Sequence, residues 1–181
     1  MKTLYTSITM STKELKSVRN LVLAGLLISL KLIFSMFTLY VSPMLRISFT
    51  FMPSAFIGML LGPSVGAMSG AIGDILCYVV RPSGPFNPAF TLISILSGFI
   101  YGVVFYNKKV TIKRCIICEL IMVFLINITL TTLALSLMYG KGFFALLPLR
   151  ALKSFIQAPI NIFLLYITLT TVQKIHSKTT R

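Results

Sequence analysis

The sequence predicts an all-α membrane protein: a bundle of six transmembrane helices with a ligand cavity on the extracellular side. Three observations predict it. Of the 181 residues, 56% are hydrophobic and only 11% are charged, with a mean hydropathy of +0.93, whereas an ordinary soluble domain is about 25% charged. A soluble core cannot hide that much apolar surface, so the solvent is a bilayer. The apolar residues fall into six runs punctuated by Gly, Pro and basic clusters. Within those runs sit a few cations and acids that lipid does not tolerate on an exposed helix face.

The elements follow in order. Residues 1–17 are polar and basic, and the apolar run after them is too long for the roughly 7–15-residue core of a signal peptide. They are read as a cytoplasmic segment of one integral membrane domain covering 1–181. The first helix is expected from about Val18 to Leu39. The second runs from about Phe49 to Leu61 and stops at Gly62–Pro63. The third runs from about Ser64 to Val80. The stretch "RPSGPFNP" cannot continue a helix, because proline lacks the N–H and clashes with the preceding turn. A fourth helix runs from about Ala89 to Asn107, a fifth from about Thr111 to Tyr139, and a sixth from near Leu147 to near Lys174. The second and third barely reach across a ~30 Å core at about 1.5 Å per residue, and the fifth and sixth have residues to spare.

The net charge is +14, from 17 Lys and Arg against 3 acids. In a soluble chain that balance points to nucleic acid. Here the cations cluster between apolar runs, which is the pattern of membrane topology, and no nucleic-acid partner is expected. Lys2, Lys13, Lys16, Arg19, Lys108, Lys109, Lys113, Arg114, Lys174, Lys178 and Arg181 fall on one side. Arg46, Arg81, Lys141, Arg150 and Lys153 fall on the other, with Lys31 inside the first helix. The richer side is expected in the cytoplasm, with both termini.

Arg81 and Lys141 are accounted for by lipid phosphate. Arg150 and Lys153 are not: they share a helix face, and Gln157 and Asn161 extend that stripe among greasy neighbours. Such a stripe lines a bundle interior or a watery cavity, because facing lipid costs about 2.5–3.5 kcal/mol per cation at mid-depth. Asp74 is the acid well inside a helix. It pairs with Arg46 or Lys31, or it accepts hydrogen bonds from a ligand's N–H edge. Glu119 is expected to pair with Lys113 or Lys16.

Catalysis has little support. His176 is the lone histidine and lies in the tail, and no G-x-S-x-G, H-E-x-x-H or phosphate-cradling G-x-x-x-x-G-K-[ST] is present. Cys115 and Cys118 read as small buried hydrophobes rather than metal or redox ligands. No catalytic residue, metal or cofactor is expected.

Gly58, Gly62, Gly66, Gly70, Gly98 and Gly102 recur four apart, a spacing that lets helix backbones approach closely inside the bundle. Ala24, Gly25 and Ser29 give the first helix a small face suited to internal or external packing. Arg46 with Phe49 and Phe51, and Phe86 with Phe90, place rings beside cations, a slot suited to a flat anion as well as to an aromatic belt.

Four stretches carry a family likeness: "RISFTFMP" (Arg46–Pro53), "GMLLGPSVGAMSGAIGD" (Gly58–Asp74), "PSGPFNPAFT" (Pro82–Thr91) and "LMYGKGFFALLPLRALK" (Leu137–Lys153). In that order, within six helices, the chain resembles the substrate-binding components of energy-coupling factor vitamin transporters, and among them the folate-specific members. The resemblance implies a high-affinity vitamin-capturing subunit that works with a transmembrane coupling subunit and two cytoplasmic ATPases. It implies that Arg46, Arg150 and Lys153 take folate's carboxylates, that Phe49, Phe51, Phe86 and Phe90 face its ring, and that Asp74 takes the pterin N–H edge. Pro82 and Tyr139 join the site through the same stretches, and Gln157 joins it through the helical stripe it shares with Arg150 and Lys153. Ala24, Gly25 and Ser29 match the face that docks the coupling subunit. The chain departs from the family pattern at Thr131–Ala134, where an "NTLW"-like stretch is usual, and at Ser97, where a basic residue is common. Another flat vitamin or pterin stays open as substrate. An autonomous ion-coupled transporter also stays open, although no duplicated halves support it; a membrane enzyme or scaffold is the third class.

Overall fold

Six helices form along the six apolar runs. The computed structural model describes residues 10–12, 17–42, 45–82, 86–140 and 142–179. Helix α1 is Val18–Met36, α2 is Phe51–Leu61, α3 is Pro63–Val80 and α4 is Pro88–Phe105. Helix α5 is Ile112–Tyr139, with a π-helical segment at Met122–Leu130, and α6 is Phe143–Thr179. Between α1 and α2 lies an antiparallel hairpin, β1 (Leu39–Ser42) with β2 (Leu45–Ile47), in which Tyr40 faces Arg46.

The helix ends follow local chemistry. Pro63 and Pro88 occupy the first turns of α3 and α4, where no N–H is needed. The Asn87 side chain accepts the Ala89 N–H at 3.0 Å, a standard N-cap. Gly62, at φ +89°, makes the sharp reversal from α2 to α3 that a side chain would resist. Helix α6 begins at Phe143, about four residues before the expected start. Pro148 and Pro159 both lie inside it, as membrane helices allow when neighbours satisfy the freed backbone groups.

Contacts between helix ends establish an up-and-down order. Ser11 Oγ donates to the Leu61 carbonyl at 2.7 Å and accepts from Ser64 N at 3.1 Å, so the turn between α2 and α3 lies beside the segment preceding α1. At the far end, the Arg81 guanidinium donates to the carbonyls of Met36 (2.6 Å) and Thr38 (3.4 Å), joining the C-termini of α1 and α3. Gln173 of α6 accepts from Val110 N and donates to the Lys108 carbonyl, each at 3.0 Å, tying the end of α6 to the loop before α5. The start of α1 and the end of α6 therefore share one end of the bundle.

Among the described residues, five helices are long and apolar enough to span a membrane, and α2 is shorter. Its 11 residues rise about 16 Å. The reversal it makes is completed by the less regular segment before it, where Ser48 and Thr50 line a cavity. Non-helical backbone is tolerated at membrane depth in that setting.

The glycines set the spacing of α2, α3 and α4. A Cβ on Gly98 would collide with the Gly66 carbonyl, and one on Gly70 with the Ser94 carbonyl. One on Gly58 would lie 2.7 Å from the Gly102 nitrogen. On the other side of α4, Tyr101 and Phe105 pack with Cys115 and Cys118 of α5 and Leu165 and Leu169 of α6 in the main core. Both cysteines are free thiols, fully buried. Leu26, Leu137 and Phe144 stand exposed on the outer surface, as lipid-facing residues must.

Gly98→Ala is expected to destabilise the bundle by about 1–3 kcal/mol through overpacking. Gly25→Ala, where the added Cβ meets nothing within 4 Å, is expected to cost nothing. Both substitutions gain the same helix propensity, so the gap between their thermal midpoints in detergent isolates the packing. Equal midpoints would refute this account of the spacing.

Candidate functional site

All six helices contribute to one cavity of about 330 Å³, at the lower end of the range for small-molecule pockets. Its polar wall comes from α6. Arg150, Lys153, Gln157 and Asn161 all line it, at steps of three and four residues that keep them on one face. Arg150 is 8% exposed, while Leu152, Phe155, Ile156 and Phe163 turn outward. A helix with one charged stripe has a single way to sit in a bilayer, and it is this one.

Asp74 lies opposite, on α3. Its two oxygens accept hydrogen bonds from Thr91 Oγ1 (2.9 Å) and Ser94 Oγ (3.1 Å), both on α4. These bonds cross the same glycine seam that brings α3 and α4 together. Lys31 is 8% exposed in α1 and lies across Gly73, whose missing side chain leaves room for it. No direct ion pair joins Asp74 and Lys31 among the described residues. Lys31 therefore does not supply the expected bridge, and Asp74 takes two hydroxyl donors instead; the other expected partner, the Arg46 side chain, lies outside the described residues.

One further expectation needs correction. Glu119 does not reach Lys113; it turns inward, is 2% exposed, and accepts from Asn161 Nδ2 at 2.8 Å. Lys16 lies outside the described residues. The sequence signal was present: Glu119 falls within the buried row Cys115, Cys118, Met122 and Ile126, and the nearby basic loop drew attention from it. The Arg81 Nη1 also binds the carbonyls at the end of α1, where positive charge is favoured.

The aromatic residues divide. Phe51, Phe86, Phe90 and Tyr139 line the cavity, and Phe86 packs edge-on against Tyr78 with centroids 5.2 Å apart. Phe49 and Pro82 stand outside the lining. Thr50 already has helical dihedrals, so Phe49 and Phe51, two apart, point different ways. Pro82 is exposed just past the end of α3. Arg46 sits on β2 and Lys141 follows α5; the Arg46 side chain and Lys141 lie outside what the structure describes.

On α1, Ala24 is not on the outer face. It packs with Ile57, Leu61 and Val65. Gly25 and Ser29 do face outward, and the Ser29 hydroxyl is satisfied by the Gly25 carbonyl at 3.0 Å. Sequence reading also missed much of the hydroxyl and amide lining: Ser35, Ser54, Ser94 and Asn127, with Ser97 and Thr131 at the two points of departure from the family pattern. Asn127 reaches the wall beside Ile126 because the wide π turn brings adjacent positions inward. Such a turn is characteristic of functional segments.

Residues 19–169 match the family model described as "ECF transporter, substrate-specific component". The chain is 36% identical over 152 residues to the folate transporter FolT of Clostridium novyi (strain NT), covering 84% of this chain and 88% of that protein. It is 28% identical over 166 residues to the folate transporter FolT of Streptococcus mutans serotype c (strain ATCC 700610 / UA159), covering 88% and 89%. Its structure resembles a crystal structure of FolT bound with folic acid, with a TM-score of 0.78 and 39% identity, covering 83% of this chain and 92% of that one.

The bonds between Asp74 and α4 are testable without ligand. Asp74→Ala is expected to lower stability by about 1 kcal/mol, the cost of leaving half-buried hydroxyls unpaired. Combining it with Thr91→Val and Ser94→Ala should recover part of that loss, because the orphaned groups are gone. A fully additive combination, measured by thermal unfolding in detergent, would contradict the clamp.

Proposed function

This chain belongs to the family of ECF transporter substrate-specific components, and from that premise we propose that it captures folate for import by an ECF-type transporter. The observation that carries the reading is the cationic stripe of buried Arg150 and half-buried Lys153 inside an apolar bundle, facing a cavity with aromatic rings on its other walls. Folate has an anionic glutamate end and a flat pterin, and those two features match the stripe and the rings. The names of the two relatives and the folic acid in the similar structure support the same ligand.

In this reading Arg150, Lys153 and Gln157 hold the carboxylates, with Arg46 at the mouth. Phe51, Phe86, Phe90 and Tyr139 contact the ring system and the linker, while Phe49 and Pro82 shape the approach. Asp74 holds α3 to α4 and balances Lys31 beside the ligand. The whole chain, 1–181, acts as one membrane domain.

The end of the bundle carrying Arg19, Lys108, Lys109, Lys113, Arg114 and Lys174 lies in the cytoplasm by the excess of positive charge. Both termini lie there with it, and the cavity opens outward. The chain has no motif for binding ATP phosphates, so the energy comes from two cytoplasmic ATPases acting through a transmembrane coupling subunit. Gly25 and Ser29 give that subunit a smooth place to pack against α1. A related flat pterin is the second reading, favoured by Ser97 and Thr131 lying on the cavity wall.

Mass spectrometry of the protein purified in mild detergent is expected to find a folate bound. Arg150→Ala should then weaken folic acid binding about 10–100-fold, the value of a charge-assisted hydrogen bond. Riboflavin, thiamine or biotin in place of folate would keep the family and change the substrate. Unchanged affinity in the variant would remove Arg150 from the site. Uptake by proteoliposomes holding this chain alone, driven by an ion gradient, would overturn the dependence on ATPases.

A further inference from the structure

The cavity holds a second buried carboxylate that the cationic stripe does not explain. Glu119 is 2% exposed and lines the cavity. Its Oε1 accepts from Asn161 Nδ2 at 2.8 Å. Among the described residues, Oε2 takes no hydrogen bond and no cation pairs with the group. A carboxylate this buried is costly unless donors reach it, and the one internal donor reaches one oxygen. The other Oε1 lone pair and all of Oε2 remain for something that enters the cavity.

Position narrows what that something is. Asn161 is 11 residues beyond Arg150 on α6, a rise of about 16 Å toward the basic end of the bundle. Glu119 is near that end too, in the second turn of α5. The cavity therefore has a cationic group near the mouth and an anionic group at the floor. Tyr101 and Met122 also line this floor, an aromatic ring and a polarizable thioether suited to a flat ring. Asp74 is less suited to the task, because both of its oxygens already hold α4.

We propose that Glu119, oriented by Asn161, is a specificity-determining group that accepts two adjacent N–H donors from a flat heterocycle at the floor of the cavity. The inference rests on the functional reading above and deepens it. A 2-amino-4-oxo pterin presents a ring N–H and an exocyclic amine side by side, and a carboxylate accepts such a pair through both oxygens. The ligand lies lengthwise, with its heterocycle deep and its carboxylates at Arg150 and Lys153. An analogue lacking those two donors would leave a buried carboxylate unsatisfied, which is a strong ground for rejection.

The test compares folic acid, pterin (the heterocycle alone) and p-aminobenzoylglutamate (the anionic end alone), each measured by competition on purified protein. Glu119→Gln keeps the shape but places an N–H where an acceptor stood. It is expected to weaken folic acid and pterin about 10–100-fold and to leave p-aminobenzoylglutamate unchanged. Asn161→Leu, which unfixes the carboxylate, should show the same split to a smaller degree and serves if the first variant does not fold. Wild-type affinity for pterin in either folded variant would overturn the inference, as would an equal loss for all three ligands. Wild-type protein that binds none of the three would overturn the functional reading and this inference with it.

Discussion

The constraint on which the structure depends is that hydrocarbon cannot hold an unpaired charge. This chain places Lys31, Asp74, Glu119, Arg150 and Lys153 within helices that are otherwise apolar, and the structure turns all five to one shared cavity. Facing lipid, each would cost several kcal/mol. Gathered together, they keep water, near partners or a guest within reach. The fold is thus read from the inside: rotation of each helix about its axis follows from where its ionisable residue must go, and the outer surface is whatever remains.

Bringing those groups together requires helices thin enough to approach. The glycine seam between α3 and α4 lets backbone touch backbone at Gly66, Gly70 and Gly98. That contact puts Thr91 and Ser94 within hydrogen-bond distance of Asp74. The same economy appears at Gly73, where Lys31 lies in the space a side chain would fill. The half of the bundle away from the basic loop is closed differently. There the wall is made by the segment before α2, by Arg81 holding the end of α1, and by Phe86 against Tyr78.

Much of this was legible in the sequence, because bilayer and helix each impose a period. The six runs, the inward stripe of Arg150, Lys153, Gln157 and Asn161, and the internal use of the glycines follow from hydropathy and helical spacing alone. What escaped was settled by partners far away in the chain. Glu119 looked like the mate of a nearby lysine, but its partner is Asn161, 42 positions on. Arg81 also caps a helix 45 residues before it, which no local pattern announces. Ala24 and Gly25 are neighbours on one small face in the sequence, and the 100° turn between them sends one inward and the other outward. The π segment in α5 broke the period that located everything else, so Asn127 could not be assigned to the cavity by counting.

The two departures from the family pattern gain meaning from this geometry. Ser97 and Thr131 both reach the cavity wall, and both are small hydroxyl residues where the pattern has larger or charged ones. With no basic residue at Ser97, the positive charge of α6 is not duplicated on α4. In the proposed reading, Arg150 and Lys153 and the carboxylate of Glu119 then stand at different depths of the cavity, with Lys31 and Asp74 also on its walls. Opposite charges at different depths would, in that reading, orient a guest as well as attract it: an anion entering by its heterocyclic end would place its negative end at the stripe and its donor edge at Glu119. Orientation of that kind needs only fixed charges held apart by a rigid bundle, and the glycine seam and helix-end hydrogen bonds supply that rigidity.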